Sequence, residues 1–201
     1  MLGSLSARYE SNGDPGAIGR TEGDAGGASY GAYQFATNAG VPGEFVAWLA
    51  ERGYRGAVAL AAAGEPGAAE FDAAWGEAAA ADPEGFGAVQ RGFVEAEYYE
   101  PAAESLGRMG LDVGRRSEAL RQVVWSAAVQ YGPGCVAELF QEAAWLAGAD
   151  ARAEELDDAT LIANVYAVRA SDEWTAGSPR LRPGLRARFA AECREALGML
   201  G

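Results

Sequence analysis

Apolar residues recur along this chain every three or four positions with charged residues between them, which predicts a succession of amphipathic helices. Phe45, Val46, Trp48 and Leu49 keep helical spacing over residues 42–53, and Gly53 stops the segment. Residues 54–63 form a short alanine-rich piece closed by Gly64-Glu65-Pro66-Gly67. Phe71 and Trp75, four apart, mark one face of a helix over residues 68–81. Asp82 then predicts an N-cap with Pro83 at the first helical position, and Phe86, Val89, Phe93, Glu97 and Tyr98 run on to Pro101. Ser117 opens a strong helix whose stripe is Leu120, Val123, Val124, Ala127 and Ala128, and Tyr131-Gly132-Pro133-Gly134 ends it. Helices over residues 136–146 and 158–169 follow, the second burying Leu161, Ile162, Val165 and Tyr166. Arg180-Leu181-Arg182-Pro183-Gly184 precedes a last helix through Leu197.

The first 36 residues break this rhythm. Ser4 predicts the N-cap of a helix to about Ser11, with Leu5 and Tyr9 facing inward, and Asn12-Gly13-Asp14-Pro15 stops it. Seven glycines fall from Gly13 to Gly31, and the β signal is confined to a hairpin region over residues 16–28. Ser29-Tyr30-Gly31-Ala32-Tyr33-Gln34-Phe35 reads as the start of a helix. No repeat, heptad pattern or domain-splitting linker is visible, so the expectation is one mainly α (α+β) domain over residues 1–201.

Composition narrows the chemistry by elimination. The chain has 201 residues, a net charge of −13 and no His, and every one of its basic residues is Arg. Without imidazole there is no Ser-His-Asp triad, no Cys-His pair and no usual catalytic zinc site; without Lys there is no Schiff base. Carboxylates remain, with Tyr, Arg, Ser and Gln in support, and no metal or cofactor is expected. Acidity argues against nucleic acid as a partner. No apolar run reaches the length of a membrane span, and Met1-Leu2-Gly3-Ser4 shows no signal-peptide pattern. The chain either starts at this Met or is a catalytic domain trimmed from a larger protein. Cys135 and Cys193 sit in apolar, helical contexts and read as buried free thiols, with a long-range disulfide as the alternative.

Glu10 is the leading candidate for chemistry. A carboxyl in the last turn of a buried helix, beside a loop, is placed to act as a general acid if apolar surroundings keep it protonated; the alternative is a solvated surface Glu. Glu22 and Asp24 lie in the glycine-rich hairpin and could orient water or stabilise positive charge at an anomeric carbon. Asp24, the less crowded, is preferred, with Asp14 and Glu22 in reserve; all three also suit ordinary turns. Tyr30, Tyr33 and Gln34 offer stacking and amide hydrogen bonds suited to N-acetylated sugars, while core packing competes for Tyr33 and accounts for Phe35.

The strings Tyr9-Glu10-Ser11-Asn12-Gly13-Asp14-Pro15-Gly16 and Gly23-Asp24-Ala25-Gly26-Gly27-Ala28-Ser29-Tyr30-Gly31-Ala32-Tyr33-Gln34 resemble the lysozyme-like superfamily. More narrowly, they resemble peptidoglycan hydrolase domains of phage endolysins, phage tails and contractile-injection-system spikes. Phe93 with Tyr98-Tyr99 and Pro101, Trp125-Ser126 with Gln130-Tyr131-Gly132, and the stretch from Ile162 to Arg169 are weaker echoes. The resemblance implies a two-lobed helical fold with a small β-hairpin beside a cleft, Glu10 as general acid and a hairpin carboxylate opposite. It also implies that Gln34, Gln130 and Tyr166 line the cleft. The implied partner is the peptidoglycan glycan strand, without membrane insertion and with targeting left to a fused or partner domain. The implied route is synthesis in the cytoplasm and release by phage or secretion system. The leading expectation is a muramidase that cuts the β-1,4 bond between N-acetylmuramic acid and N-acetylglucosamine with Glu10 and Asp24; the alternatives are a lytic transglycosylase using Glu10 alone, a chitosanase-like hydrolase, and a catalytically silent tail or spike module.

Overall fold

A computed structural model describes residues 1–20, 27–177 and 179–201. Ten helices are described: α1 (Ser4–Ser11), α2 (Val41–Glu51), α3 (Gly56–Ala62), α4 (Ala69–Ala81), α5 (Pro83–Val94), α6 (Glu100–Arg108), α7 (Glu118–Tyr131), α8 (Val136–Trp145), α9 (Asp158–Arg169) and α10 (Arg182–Gly198). Three two-residue strands, β1 (Ile18–Gly19), β2 (Ser29–Tyr30) and β3 (Phe35–Ala36), form an antiparallel sheet in sequence order. The mainly helical architecture with a small β element is as expected. The chain divides into two compact units, Met1–Ser6 with Glu95–Gly201, and Ala7–Val94.

Ala7–Val94 is organised by aromatic rings. Trp75 is fully buried, with Tyr30, Phe45 and Phe86 at centroid distances of 5.2, 5.6 and 5.0 Å. Phe93 of α5 meets Phe35 of β3 and Phe45 of α2 edge-on, each at 5.3 Å. Edge-to-face pairs of this kind add to burial and fix side-chain orientation. The Asp82 carboxylate accepts from the Gly85 amide at 2.9 Å, capping α5.

One expectation fails here. Ser29–Phe35 is not a helix start but strand, turn and strand, with Tyr30 opposite Phe35. Gly31 and Gln34 take φ of +76° and +52°, left-handed conformations that reverse the chain and cannot propagate a right-handed helix.

In the other unit α7 is central, every residue from Gln122 to Ala128 being buried, and it packs on α8, α9 and α10. Ser117 caps it, accepting from the Leu120 amide at 3.2 Å. Arg116 donates to the carbonyls of Leu156 and Glu154 at 2.8 and 2.9 Å and to Asp158 at 2.9 Å, fastening the start of α9. Ser4 is the first residue of α1 rather than its cap. The fully buried Gln122 side chain does the capping, its oxygen accepting from the Gly3 and Leu5 amides at 2.9 and 3.4 Å. The helical run does not end at Pro101 either, because a π-helical turn, Glu95–Tyr99, joins α5 to α6. Both thiols are free, and Cys135 is exposed rather than buried, since it closes the 3₁₀ turn Pro133–Cys135 ahead of the apolar face of α8.

Candidate active site

Glu10 stands in the last turn of α1, half-buried. The helix stops there because Asn12 and Gly13 turn left-handed, at φ +56° and +77°, while their amides return to the carbonyls of Arg8 and Ala7 at 3.1 and 3.0 Å. Asp14 is used locally, its carboxylate accepting from the Gly16 amide at 2.8 Å. Ser11 donates to the Ala32 carbonyl at 3.0 Å and so ties the end of α1 to the β2–β3 turn.

That turn carries the other residues expected in this unit. Gln34 is half-buried and folds back, donating to the Gly31 carbonyl at 3.0 Å. Its carboxamide lies over Gly19 of β1, where a Cβ would come within 2.4 Å of the Gln34 Oε1 and push the carboxamide aside. Tyr33 is 5% exposed and stacks on Phe35 at 6.5 Å. Tyr30 has no exposed surface; its hydroxyl donates to Asp72 at 2.6 Å and accepts from the Gly67 amide at 2.8 Å. Burial, with the Asp72 carboxylate second, pushes its phenol up to about 12. Arg20, at the end of β1, also binds Asp72. Asp24 and Glu22 lie outside the described residues.

Gln130 and Tyr166 belong to the other unit. Gln130 is half-buried in the last turn of α7. Tyr166 is 3% exposed and donates to Glu192 at 3.2 Å, within a buried polar cluster. Arg169 reaches the same Glu192 oxygen at 3.3 Å, both residues having no exposed surface, while Ser126 donates to it at 3.0 Å. Arg188 donates to the second oxygen at 2.6 Å. Burial alone would raise the Glu192 carboxyl, but the guanidinium groups of Arg169 and Arg188 hold it below its ordinary value.

The chain matches, over residues 2–193, the family model for the type VI secretion system spike protein VgrG3-like, C-terminal. It belongs to that family. The VgrG3-like chain is 32% identical over 132 residues to the type VI secretion system spike protein VgrG3 of Vibrio cholerae serotype O1. That stretch is 65% of this chain and 12% of the relative's length. In structure the VgrG3-like chain is similar to native chitosanase from Bacillus subtilis MY002, with a TM-score of 0.64 over 96% of this chain and 85% of that one. Sequence identity in that pair is 20%, so the likeness concerns the fold. Among the contexts the resemblance suggested, secretion-system spikes are the one that the family's description names.

The Arg169–Glu192 pair and the buried amides of Gln90 and Gln122 have no counterpart among the residues singled out from the sequence. A signal existed for the ion pair. Arg169 continues the apolar stripe of Ile162, Val165 and Tyr166, and Glu192 lies between Phe189 and Ala196 on the buried face of α10. Opposite charges on two apolar stripes point to a buried partner for each.

Proposed function

We propose that this VgrG3-like domain is a peptidoglycan-cleaving glycosidase, a muramidase cutting the β-1,4 bond between N-acetylmuramic acid and N-acetylglucosamine. Glu10 is the general acid that protonates the leaving glycosidic oxygen. The observation that carries the reading is Glu10 itself: a half-buried carboxyl at a left-handed helix stop, tied through Ser11 to the Tyr30–Gln34 turn. The fold shared with a chitosanase supports glycan cleavage in general. Asp24 is the proposed second carboxylate. If it activates water from the far face the product inverts, with the two carboxyls about 6.5–9.5 Å apart, against about 5–5.5 Å for a retaining nucleophile. If Glu10 works alone, the muramic 6-hydroxyl attacks and the enzyme is a lytic transglycosylase.

Gln34, with Tyr33 beside it, is proposed as a glycan contact of Ala7–Val94, and Gln130 as one of the other unit, both retaining exposed surface. Tyr30 supports the Tyr30–Gln34 turn from inside Ala7–Val94, and Tyr166 belongs to the buried Glu192 cluster of the other unit. The domain is proposed to act on the wall after delivery by a spike, since the chain spans 12% of the length of the curated relative it matches. A second reading follows from the fold neighbour: a chitosanase-like hydrolase, whose polycationic substrate would suit a net charge of −13.

The test is mass spectrometry of products released from purified peptidoglycan by the wild type and by Glu10→Gln. Reducing-end muropeptides from the wild type alone are expected. Anhydro ends would make it a transglycosylase. Products from chitosan alone would favour the second reading, and no products from either polymer would leave a non-catalytic spike module.

A further inference from the structure

Gln90 lies on α5, in the middle of an aromatic core, with no exposed surface. A carboxamide buried there costs desolvation unless both of its ends are bonded, and both are. Its oxygen accepts from the Ala32 amide at 2.8 Å, and its nitrogen donates to the Pro15 carbonyl at 2.9 Å. Trp75 donates to that same carbonyl at 2.9 Å. The two main-chain groups come from different loops. Pro15 lies in the segment that leads from the end of α1 to β1, and Ala32 lies in the turn that presents Tyr33 and Gln34. The line of hydrogen bonds then continues from the Ala32 carbonyl to the Ser11 hydroxyl, one residue beyond Glu10. Glycine at position 31 keeps the approach open: a Cβ there would come within 2.4 Å of the Gln90 oxygen and 2.9 Å of the Trp75 ring.

We propose that Gln90 is a positioning residue for Glu10, setting the end of α1 against the Tyr30–Gln34 turn through the Pro15 carbonyl and the Ala32 amide. This rests on the glycosidase reading above. Gln90 touches no substrate, so its loss acts on turnover and leaves substrate affinity nearly unchanged.

Two variants test it, each compared with the wild type at the same pH. Gln90→Leu removes both bonds and lowers kcat about 10–100-fold at every pH, with KM within about twofold. Gln90→Glu keeps both bonds while its carboxyl is protonated, because the C=O accepts from Ala32 and the O–H donates to Pro15. Ionised, it turns an acceptor toward the Pro15 carbonyl, so its kcat relative to wild type falls as pH rises through its own titration. Amide NMR of the same variant without substrate reports the Ala32 and Ser11 resonances moving with that midpoint. Loss of folded protein is separated by measuring the folded fraction of Gln90→Glu by circular dichroism at each pH and expressing kcat per folded enzyme, since ionising a buried carboxyl also lowers stability.

Wild-type kcat in Gln90→Leu, or activity of Gln90→Glu that tracks wild type at all pH values, would overturn the proposal. If the wild type cleaves no glycan while Glu10→Gln behaves identically, the glycosidase reading fails on its own. The NMR titration then decides the geometry: Ala32 and Ser11 moving together uphold the linkage to the Glu10 helix end, and Ser11 staying fixed refutes it.

Discussion

Replacing Glu192 by Gln removes a carboxylate that faces two guanidinium groups inside the Glu95–Gly201 unit. Arg169 at 3.3 Å has no exposed surface, and Arg188 at 2.6 Å is 18% exposed. The introduced carboxamide would be the wrong shape electrically: its carbonyl can serve either Arg188 or the group formed by Ser126, Tyr166 and Arg169, while its NH₂ meets donors on the other side. Leaving a buried charge without its partner costs about 3–5 kcal/mol. For a chain of this size that corresponds to a fall in Tm of about 6–20 °C. Differential scanning calorimetry at neutral pH reads it directly.

The acid side supplies an independent check. The Glu192 carboxyl sits below its ordinary value in the folded protein, so near pH 4 the unfolded chain holds more protons than the folded one. Its contribution is complete above the unfolded value and is lost as pH falls through the folded one. The wild type therefore loses stability over that window, and the Glu192→Gln variant lacks this component. A Tm within about 2 °C of wild type at pH 7 would refute the reasoning, as would an unchanged acid slope.

Gly31→Ala combines a left-handed φ, about 1–2 kcal/mol, with contacts against Gln90 and Trp75 that cost about 1–3 kcal/mol more, and chemical denaturation should show a fall of that order. Tyr30→Phe leaves Asp72 and the Gly67 amide without their hydroxyl partner and should cost about 1–2 kcal/mol by the same measurement. Because the folded Tyr30 phenol lies at about 12, its contribution is intact below pH 10 and declines as pH rises toward 12; the Phe variant removes that share of the alkaline loss. Cys135, exposed, should alkylate well before Cys193, whose thiol is pushed up by burial, and peptide mapping after brief maleimide treatment at neutral pH would show it.

Local grammar carried far in this chain. Asp82 caps the helix it was read to cap, Ser117 caps the helix it was read to open, and α9 keeps the expected bounds, because a capping oxygen needs only an amide two or three residues ahead. The position of Glu10 in a last turn was legible for the same reason: Asn12-Gly13 is a local stop. Other features were hidden because their cause lies far along the chain. Gln90 and Gln122 look like polar helix surface until Pro15, Ala32, Gly3 and Leu5 are brought to them. The Tyr30–Gln34 turn was misread because glutamine seldom takes the left-handed conformation that Gln34 adopts. Asp24 falls outside the described residues, so its role rests on proposal.

The π turn at Glu95–Tyr99 means that this stretch of chain holds more residues than its helical path requires, and the surplus sets a phase. Within Glu95–Gly201 the residues that α6 buries are Ala102 and Leu106, four apart on one face. Deleting a single residue such as Ala96 would let the turn close into α geometry and rotate α6 by about 100° relative to α7, on which the turn packs within Glu95–Gly201. Ala102 and Leu106 would leave the core face together. Related sequences should therefore tolerate many substitutions in this turn and very few changes of length, which makes an alignment gap here more damaging than one in any surface loop.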